Sequence, residues 1–291
     1  MAAPLVSGVP QVTVLMPVHN GARYLGDAVR SILAQTHEDF ELLIIDDGST
    51  DGSVGVINKF SDPRIRLERN LVNLGLIATL NRGIELARGE FIARMDADDI
   101  SLPERLACQL ELMRTRPQLG VCGTYYEQFG SRPATVIELP TSHREIRESL
   151  LHFGCVLGHP TVMIRREVLA RTGLRYDPDF PHAEDYRLWS ELIWCTEFAN
   201  LPKSLLHYRT HSRQVSTVHA QAQGINTTKV RMRMLARLLE TTSADERELL
   251  EWALRWSTPP GAEPMRRTID LLSRLGAANT QRNVTESLPT Q

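Results

Sequence analysis

Apolar positions along the first hundred residues switch between two periods. Residues 12–18 (VTVLMPV) and 40–45 (FELLII) are short, nearly continuous apolar runs, as expected of strands buried on both faces. Between them Ala22, Leu25, Val29, Ile32 and Leu33 fall at helical spacing, which predicts a helix over 22–35. The alternation continues with a helix over 54–60, a strand over 65–68, a helix over 74–87 stopped by Gly89, and a strand over 91–95.

Strand–helix units of this length with short connections predict an α/β fold. The sheet should be Rossmann-like and mostly parallel, flanked by helices, with right-handed crossovers. Such sheets bind ligands outside the carboxyl ends of their strands. Polar residues gather at those ends: 17–20 after the first strand, Asp46 and Asp47 after the second, 96–99 after the fourth. Three strand ends should therefore share one crevice.

Past Asp99, Ser101 and Glu104 form an S-x-x-E capping box around Pro103, predicting a helix to about residue 114. A strand follows over 120–129, and Ser142 with Glu145 offers a second capping box for a helix to about residue 152. Further elements are a strand over 161–164, a helix over 185–195 with Leu188, Trp189, Leu192 and Ile193 as its apolar stripe, and a strand over 205–209. From His219 the pattern is amphipathic and helical, with Pro259, Pro260 and Gly261 separating two of the helices. The expected organisation is a catalytic domain over 1–218, a helical extension over 219–278 and a disordered polar tail over 279–291.

Composition narrows the partners. The 291 residues hold 33 Lys+Arg against 35 Asp+Glu, a formal net charge of -2, which gives nucleic acid no electrostatic hold. Four scattered cysteines (Cys108, Cys122, Cys155, Cys195) fit no metal-binding spacing and read as reduced thiols. No secretory pattern opens the chain, and no apolar run reaches the ~18 residues of a membrane span. The expectation is a cytoplasmic protein that meets any membrane at its inner face. Lys229, Arg231, Arg233 and Arg237 beside Met232, Met234 and Leu235 allow a peripheral membrane contact. The same residues also suit a helix packed on the catalytic domain or on a second subunit of a homo-oligomer.

The chemistry concentrates in four segments. Asp96, Asp98 and Asp99 repel one another, which makes sense if a divalent cation neutralises them; oxygen ligands of this kind suit Mg²⁺ or Mn²⁺. A solvated helix cap is the alternative. Asp47 stands where dinucleotide folds place the acid that accepts hydrogen bonds from a nucleoside, with Ser49 to Asp51 left to cap the next helix. Glu184 and Asp185 open a helix, either matching its dipole or supplying a general base for an acceptor hydroxyl. His211 is an imidazole within reach of a metal or a lone surface histidine. Both common phosphate fingerprints, G-x-x-x-x-G-K-[ST] and G-x-G-x-x-G after the first strand, are missing.

The ordered segments VTVLMPVHNGARYL, FELLIIDDGSTDGS, NLGLIATLNRGIELARGEFIARMDADD, GHPTVMIRREVL, EDYRLW and YRTHSRQVS together resemble the family-2 glycosyltransferases of GT-A fold, over about residues 10–218. The resemblance implies an inverting, metal-dependent transfer of a sugar from a nucleotide diphosphate to an acceptor hydroxyl. A UDP-sugar is favoured, with GDP- and dTDP-sugars as alternatives, and a surface polysaccharide or lipid-linked glycan as acceptor. It further implies that Pro17, Val18, His19 and Asn20 line the nucleoside pocket and that Asp47 contacts the base. Asp96 would lie by ribose and metal, Asp98 would be the main Mn²⁺ or Mg²⁺ ligand, and His211 would complete the shell. Asp185 would be the base with Glu184 orienting the acceptor, and His159 and Asp99 would lie near the donor sugar or acceptor. A sugar-phosphate nucleotidyltransferase shares the alternating sheet but grips its triphosphate with a Gly-rich basic loop, where this chain has VHNGAR. A non-catalytic sugar-nucleotide-binding module would have no use for Asp96, Asp98, Asp185 and His211 together.

Overall fold

The computed structural model describes residues 8–211, 214, 219–238, 243–254, 270, 271 and 274. Its elements are β1 (Val12–Val18), α1 (Ala22–Leu33), β2 (Phe40–Asp47), α2 (Ser53–Ile57), β3 (Ile65–Asn70), α3 (Leu76–Leu86), β4 (Phe91–Arg94), β5 (Ile100–Ser101), α4 (Arg105–Thr115), β6 (Leu119–Gly130), β7 (Thr135–Ile137), α5 (His143–His152), a 3₁₀ turn (His159–Thr161), β8 (Met163–Arg165), α6 (Arg166–Thr172), α7 (Glu184–Leu192), β9 (Glu197–Thr210), α8 (Ala220–Leu238) and α9 (Ala244–Leu254). The chain divides into two units, Met1–Ala220 and Gln221–Gln291.

The first unit is built on one nine-stranded sheet in the order β3-β2-β1-β4-β8-β6-β9-β5, with β7 on β6. β1, β2, β3 and β4 are mutually parallel. β8 then runs against both β4 and β6, which returns β6 and its parallel partner β9 to the direction of the first four. Six strands therefore point one way, and the carboxyl ends of β1, β2, β4 and β9 reach the same edge. β1 and β2 are buried at every position, as their unbroken apolar runs require. Leu25, Ala28, Val29 and Ile32 of α1 seal one face of the sheet over Val14, Met16, Leu42 and Ile44.

One expectation fails and one falls short, each for an identifiable reason. Ser101 and Glu104 do not cap α4, whose first residue is Arg105 and whose N-cap Glu104 makes no side-chain cap bond. Ser101 is instead buried on β5, where its hydroxyl accepts from Gln35 Nε2 (3.1 Å) and its N–H donates to Ser31 Oγ (3.0 Å); Glu104 turns out to pair with Lys203. The exposed box at Ser142 and Glu145 does form, with both reciprocal bonds. The strand expected over 205–209 is the end of the fourteen-residue β9, whose first half is masked in sequence by Asn200, Pro202 and Lys203 and whose register against β6 slips at Thr124/Tyr125. α6 was not expected; Gly173, left-handed at φ 69°, ends it.

In the second unit α8 buries Val230, Met234 and Leu235 along one stripe, while Lys229, Arg233 and Arg237 are exposed. Ser243 and Glu246 exchange cap bonds at the start of α9. The Pro259-Pro260-Gly261 break and the 279–291 tail lie outside the described residues.

Candidate active site

The crevice at the carboxyl edge is assembled from loops that brace one another. After β1, Asn20 adopts a left-handed φ of 52°, which its short amide tolerates because Oδ1 accepts the N–H groups of Thr50 (2.9 Å) and Asp51 (3.3 Å). Ser49 Oγ accepts the Asn20 N–H (2.9 Å), and Asp51 accepts the N–H groups of both Ala22 and Ser53. Asp51 thus serves the start of two helices, although α2 itself has Gly52 at its N-cap. His19 donates from Nδ1 to the Asp47 carbonyl (2.8 Å), leaving Nε2 to accept from the amides of Asn20 (3.0 Å) and Asn73 (3.1 Å). Val18, expected in the nucleoside pocket, has its side chain in the hydrophobic core, because β1 is covered on both faces. Pro17 is buried beside it.

Asp47 is buried, and its carboxylate organises the loop after β3. It accepts from Asn70 Nδ2 (2.7 Å) and from the N–H groups of Leu74 (2.9 Å) and Gly75 (2.9 Å). Gly48 permits the approach of that loop: at φ 65°, a Cβ there would lie 2.6 Å from the main chain of Val72 and Asn73.

The acidic group follows β4. One carboxylate oxygen from each of Asp96, Asp98 and Asp99 lies within 4.8 Å of the others. Each has a different neighbour. Asp96 is ion-paired with Arg94, the buried last residue of β4. Asp98 Oδ2 meets His211 Nε2 at 2.9 Å. Asp99 is only 1% exposed; its Oδ1 accepts the Arg209 N–H (2.8 Å) and its Oδ2 finds no partner among the described residues. Asp96 and Asp98 keep some exposure while Asp99 is buried, so the group is not the wholly solvated cap that stood as the alternative. Burial, with the neighbouring carboxylates, raises the pKa of Asp98 and pushes that of Asp99 well up. β9 delivers His211, whose ring also lies 5.5 Å from that of Tyr24 on α1.

The second acidic pair opens α7. Glu184 is pushed up to about 7, by burial first and by Asp185 second. Asp185 is also raised by burial, against the pull of its bond from the Tyr186 N–H (2.6 Å) and the charge of Arg94. Cys155 Sγ lies 3.7 Å from Asp185 Oδ2, and the Tyr186 hydroxyl donates to the Leu150 carbonyl, so the end of α5 is clasped to the start of α7. His159 sits on the 3₁₀ turn, which Arg105 ties to β4 by donating to the carbonyls of Pro160 (2.7 Å) and Arg94 (2.9 Å). Its Nε2 is 2.9 Å from the Tyr176 hydroxyl, and burial, then Arg94, holds its pKa well below the usual value.

Arg94 is the residue whose importance the sequence did not reveal. Burial lowers its pKa, but Asp96 more than reverses this, so it stays charged. Its charge reaches Asp98 and Asp99 on one side and Glu184 and Asp185 on the other, lowering the pKa of all four. Locally it shows only as an ionic residue closing an apolar strand. The acidic group and the α7 pair thus share one electrostatic neighbourhood, and the β1 loop joins it where Gly21 comes against Ala97.

A family model, Glycosyl transferase family 2, matches residues 13–173. The chain belongs to glycosyltransferase family 2. This glycosyltransferase is 30% identical over 248 residues to an uncharacterized glycosyltransferase of Haemophilus influenzae, covering 81% of this chain and 76% of that one. It is likewise 30% identical over 182 residues (62% of this chain, 69% of the relative) to the Escherichia coli UDP-Glc:alpha-D-GlcNAc-diphosphoundecaprenol beta-1,3-glucosyltransferase WfgD. Its fold is that of the mannosyltransferase PcManGT from Pyrobaculum calidifontis, solved with GDP-Man and Mn²⁺, at a TM-score of 0.60 and 19% identity, over 99% of this chain and 79% of that one. The glycosyltransferase thus has the GT-A fold that its motifs implied. No helix among its described residues is long and apolar enough to cross a membrane.

Proposed function

We propose that this glycosyltransferase performs a metal-dependent, inverting transfer from a UDP-sugar to a hydroxyl of a lipid-linked glycan, with residues 1–218 as the catalytic domain. One observation carries the reading: a single buried cation, Arg94, is paired with Asp96 and acts electrostatically on both the acidic group and the Glu184–Asp185 pair. The likeness to an enzyme named for a UDP-Glc donor and a diphosphoundecaprenol acceptor supports the choice of donor and acceptor.

The acidic group fits a divalent ion. Three carboxylates share one spot, one buried oxygen of Asp99 has no partner among the described residues, and oxygen donors of this kind suit Mn²⁺ or Mg²⁺. Asp98, Asp96 and His211 would hold it, with Asp99 behind them, and when bound it would offset charge on the departing diphosphate. His19, Asn20 and Asp47 frame the nucleoside pocket, and Pro17 forms its floor. Asp185 takes the proton of the acceptor hydroxyl as that oxygen attacks the anomeric carbon from the face opposite the leaving group. Glu184 orients the acceptor, and the uncharged His159 flanks the donor sugar.

Ligand binding tests the donor half directly. UDP with Mn²⁺ at about a hundred times its Kd is expected to stabilise the protein by about 2.7 kcal/mol in a thermal-shift measurement. Asp98→Ala should lose the metal-dependent part of that gain. A variant that keeps it would remove Asp98 from the metal shell.

The pH profile tests the acceptor half. Because burial raises both carboxyls of the α7 pair, Glu184 to about 7, kcat/KM should rise with pH as the pair loses its protons. Stability moves the other way. Carboxyls whose folded pKa is raised favour the folded state below the unfolded value of about 4, and that advantage is lost as pH rises through about 7. A kcat/KM that is flat from pH 5 to 8 would exclude the pair from proton transfer.

A further inference from the structure

The loop between β3 and α3 is anchored on one side and bare on the other. Its main chain is fixed by the Asp47 carboxylate through the N–H groups of Leu74 and Gly75, and by Asn73, whose side chain bonds His19 and the Gly75 N–H. Yet Leu71 is 100% exposed, Val72 62% and Leu74 55%. Three large apolar side chains within four residues, held rigid and aimed at water, are an unfavourable surface unless something covers them.

We propose that this loop is a membrane-inserting tip, which seats the carboxyl edge of the sheet on a lipid bilayer. Three observations select a bilayer over a protein partner. The feature is a protruding loop and not a groove, and three side chains fall far short of the roughly 800 Å² per partner that a stable protein interface buries. A bilayer needs no more than a few apolar side chains beneath its headgroups. The tip lies between two arginines with no acidic residue between them; Arg69 is paired with Asp46 and Arg82 with Glu68, yet the Arg69 side chain is still 58% exposed and within reach of an anionic headgroup layer. Finally, the tip is bonded to Asp47 and His19, so its insertion brings the donor crevice to the plane in which a lipid-linked acceptor resides. That last argument rests on the function proposed above; the first two do not.

Flotation of the full chain with vesicles decides the matter. The protein should float with phosphatidylcholine vesicles and more completely when phosphatidylglycerol is included. The double variant Leu71→Ser, Val72→Ser should lose at least about tenfold in vesicle partitioning. Hydrolysis of UDP-glucose in vesicle-free buffer, measured beside it, should stay at the wild-type rate, because both side chains are turned to solvent. Failure of the wild-type protein to float, or flotation of the double variant at the wild-type level, overturns the proposal; the second result would transfer the contact to the basic residues of α8. Absence of hydrolysis with every sugar nucleotide, alongside normal flotation, would instead count against the proposed function and leave the tip standing.

Discussion

Asp185→Asn is expected to lower the rate of glycosyl transfer by about 10²–10⁴-fold while leaving nucleotide diphosphate affinity near the wild-type value. The amide fills the same space and can still receive the Tyr186 N–H on its oxygen, but it cannot take a proton from an acceptor. Its distance in sequence from the acidic group is the reason for the split: Asp96, Asp98 and His211 come from other elements and keep their contacts. Isothermal titration with UDP and Mn²⁺, run beside a transfer assay, separates the two effects. Transfer at the wild-type rate would take Asp185 out of the reaction. Loss of UDP binding in parallel with transfer would mean that the residue shapes the donor site instead.

The second large effect is on stability. Arg94→Met should destabilise the protein by about 3–5 kcal/mol, because it strands buried carboxylates without their cation. Methionine matches the length of the aliphatic stem, so loss of packing contributes little. Arg94 lowers the pKa of Asp98, Asp99, Glu184 and Asp185, so removing it raises all four further. The variant's deficit in urea unfolding should therefore be largest at about pH 8 and shrink towards about pH 5, as protons replace the missing cation. A deficit equal at both ends would assign the loss to packing and remove Arg94 from its electrostatic role.

Those two residues differ in how far the sequence exposes them. Asp185 sits in a motif, EDYRLW, that can be matched directly. Arg94 sits in one too, but nothing local says that its charge is buried or that it reaches α7, ninety residues on. The same contrast runs through the fold. β1 and β2 were legible because a strand covered on both faces must be apolar at every position. The cap at Ser142 was legible because an exposed serine at a helix start has no better partner. Ser101 carries the same signature and fails, since Gln35 and Ser31 claim it from another element. The metal motif shows the same limit. Its three carboxylates announce themselves, but the burial of Asp99 depends on an N–H supplied by Arg209, 110 residues later. The first half of β9 stayed hidden because Asn200, Pro202 and Lys203 break the alternation where the strand bulges.

β9 has a consequence for how the enzyme comes into being. Among the described residues it is the last strand added to the sheet; it carries the Arg209 N–H that holds Asp99 and is followed at once by the His211 that meets Asp98. Such distant pairings are slow to form, because a long intervening loop must close before they are rewarded. During synthesis the N-terminal strands can therefore associate well before the catalytic centre exists. Until the final strand has emerged and docked, the nascent chain holds an unfinished pocket and an open sheet edge, which is the stage at which it is most exposed to aggregation.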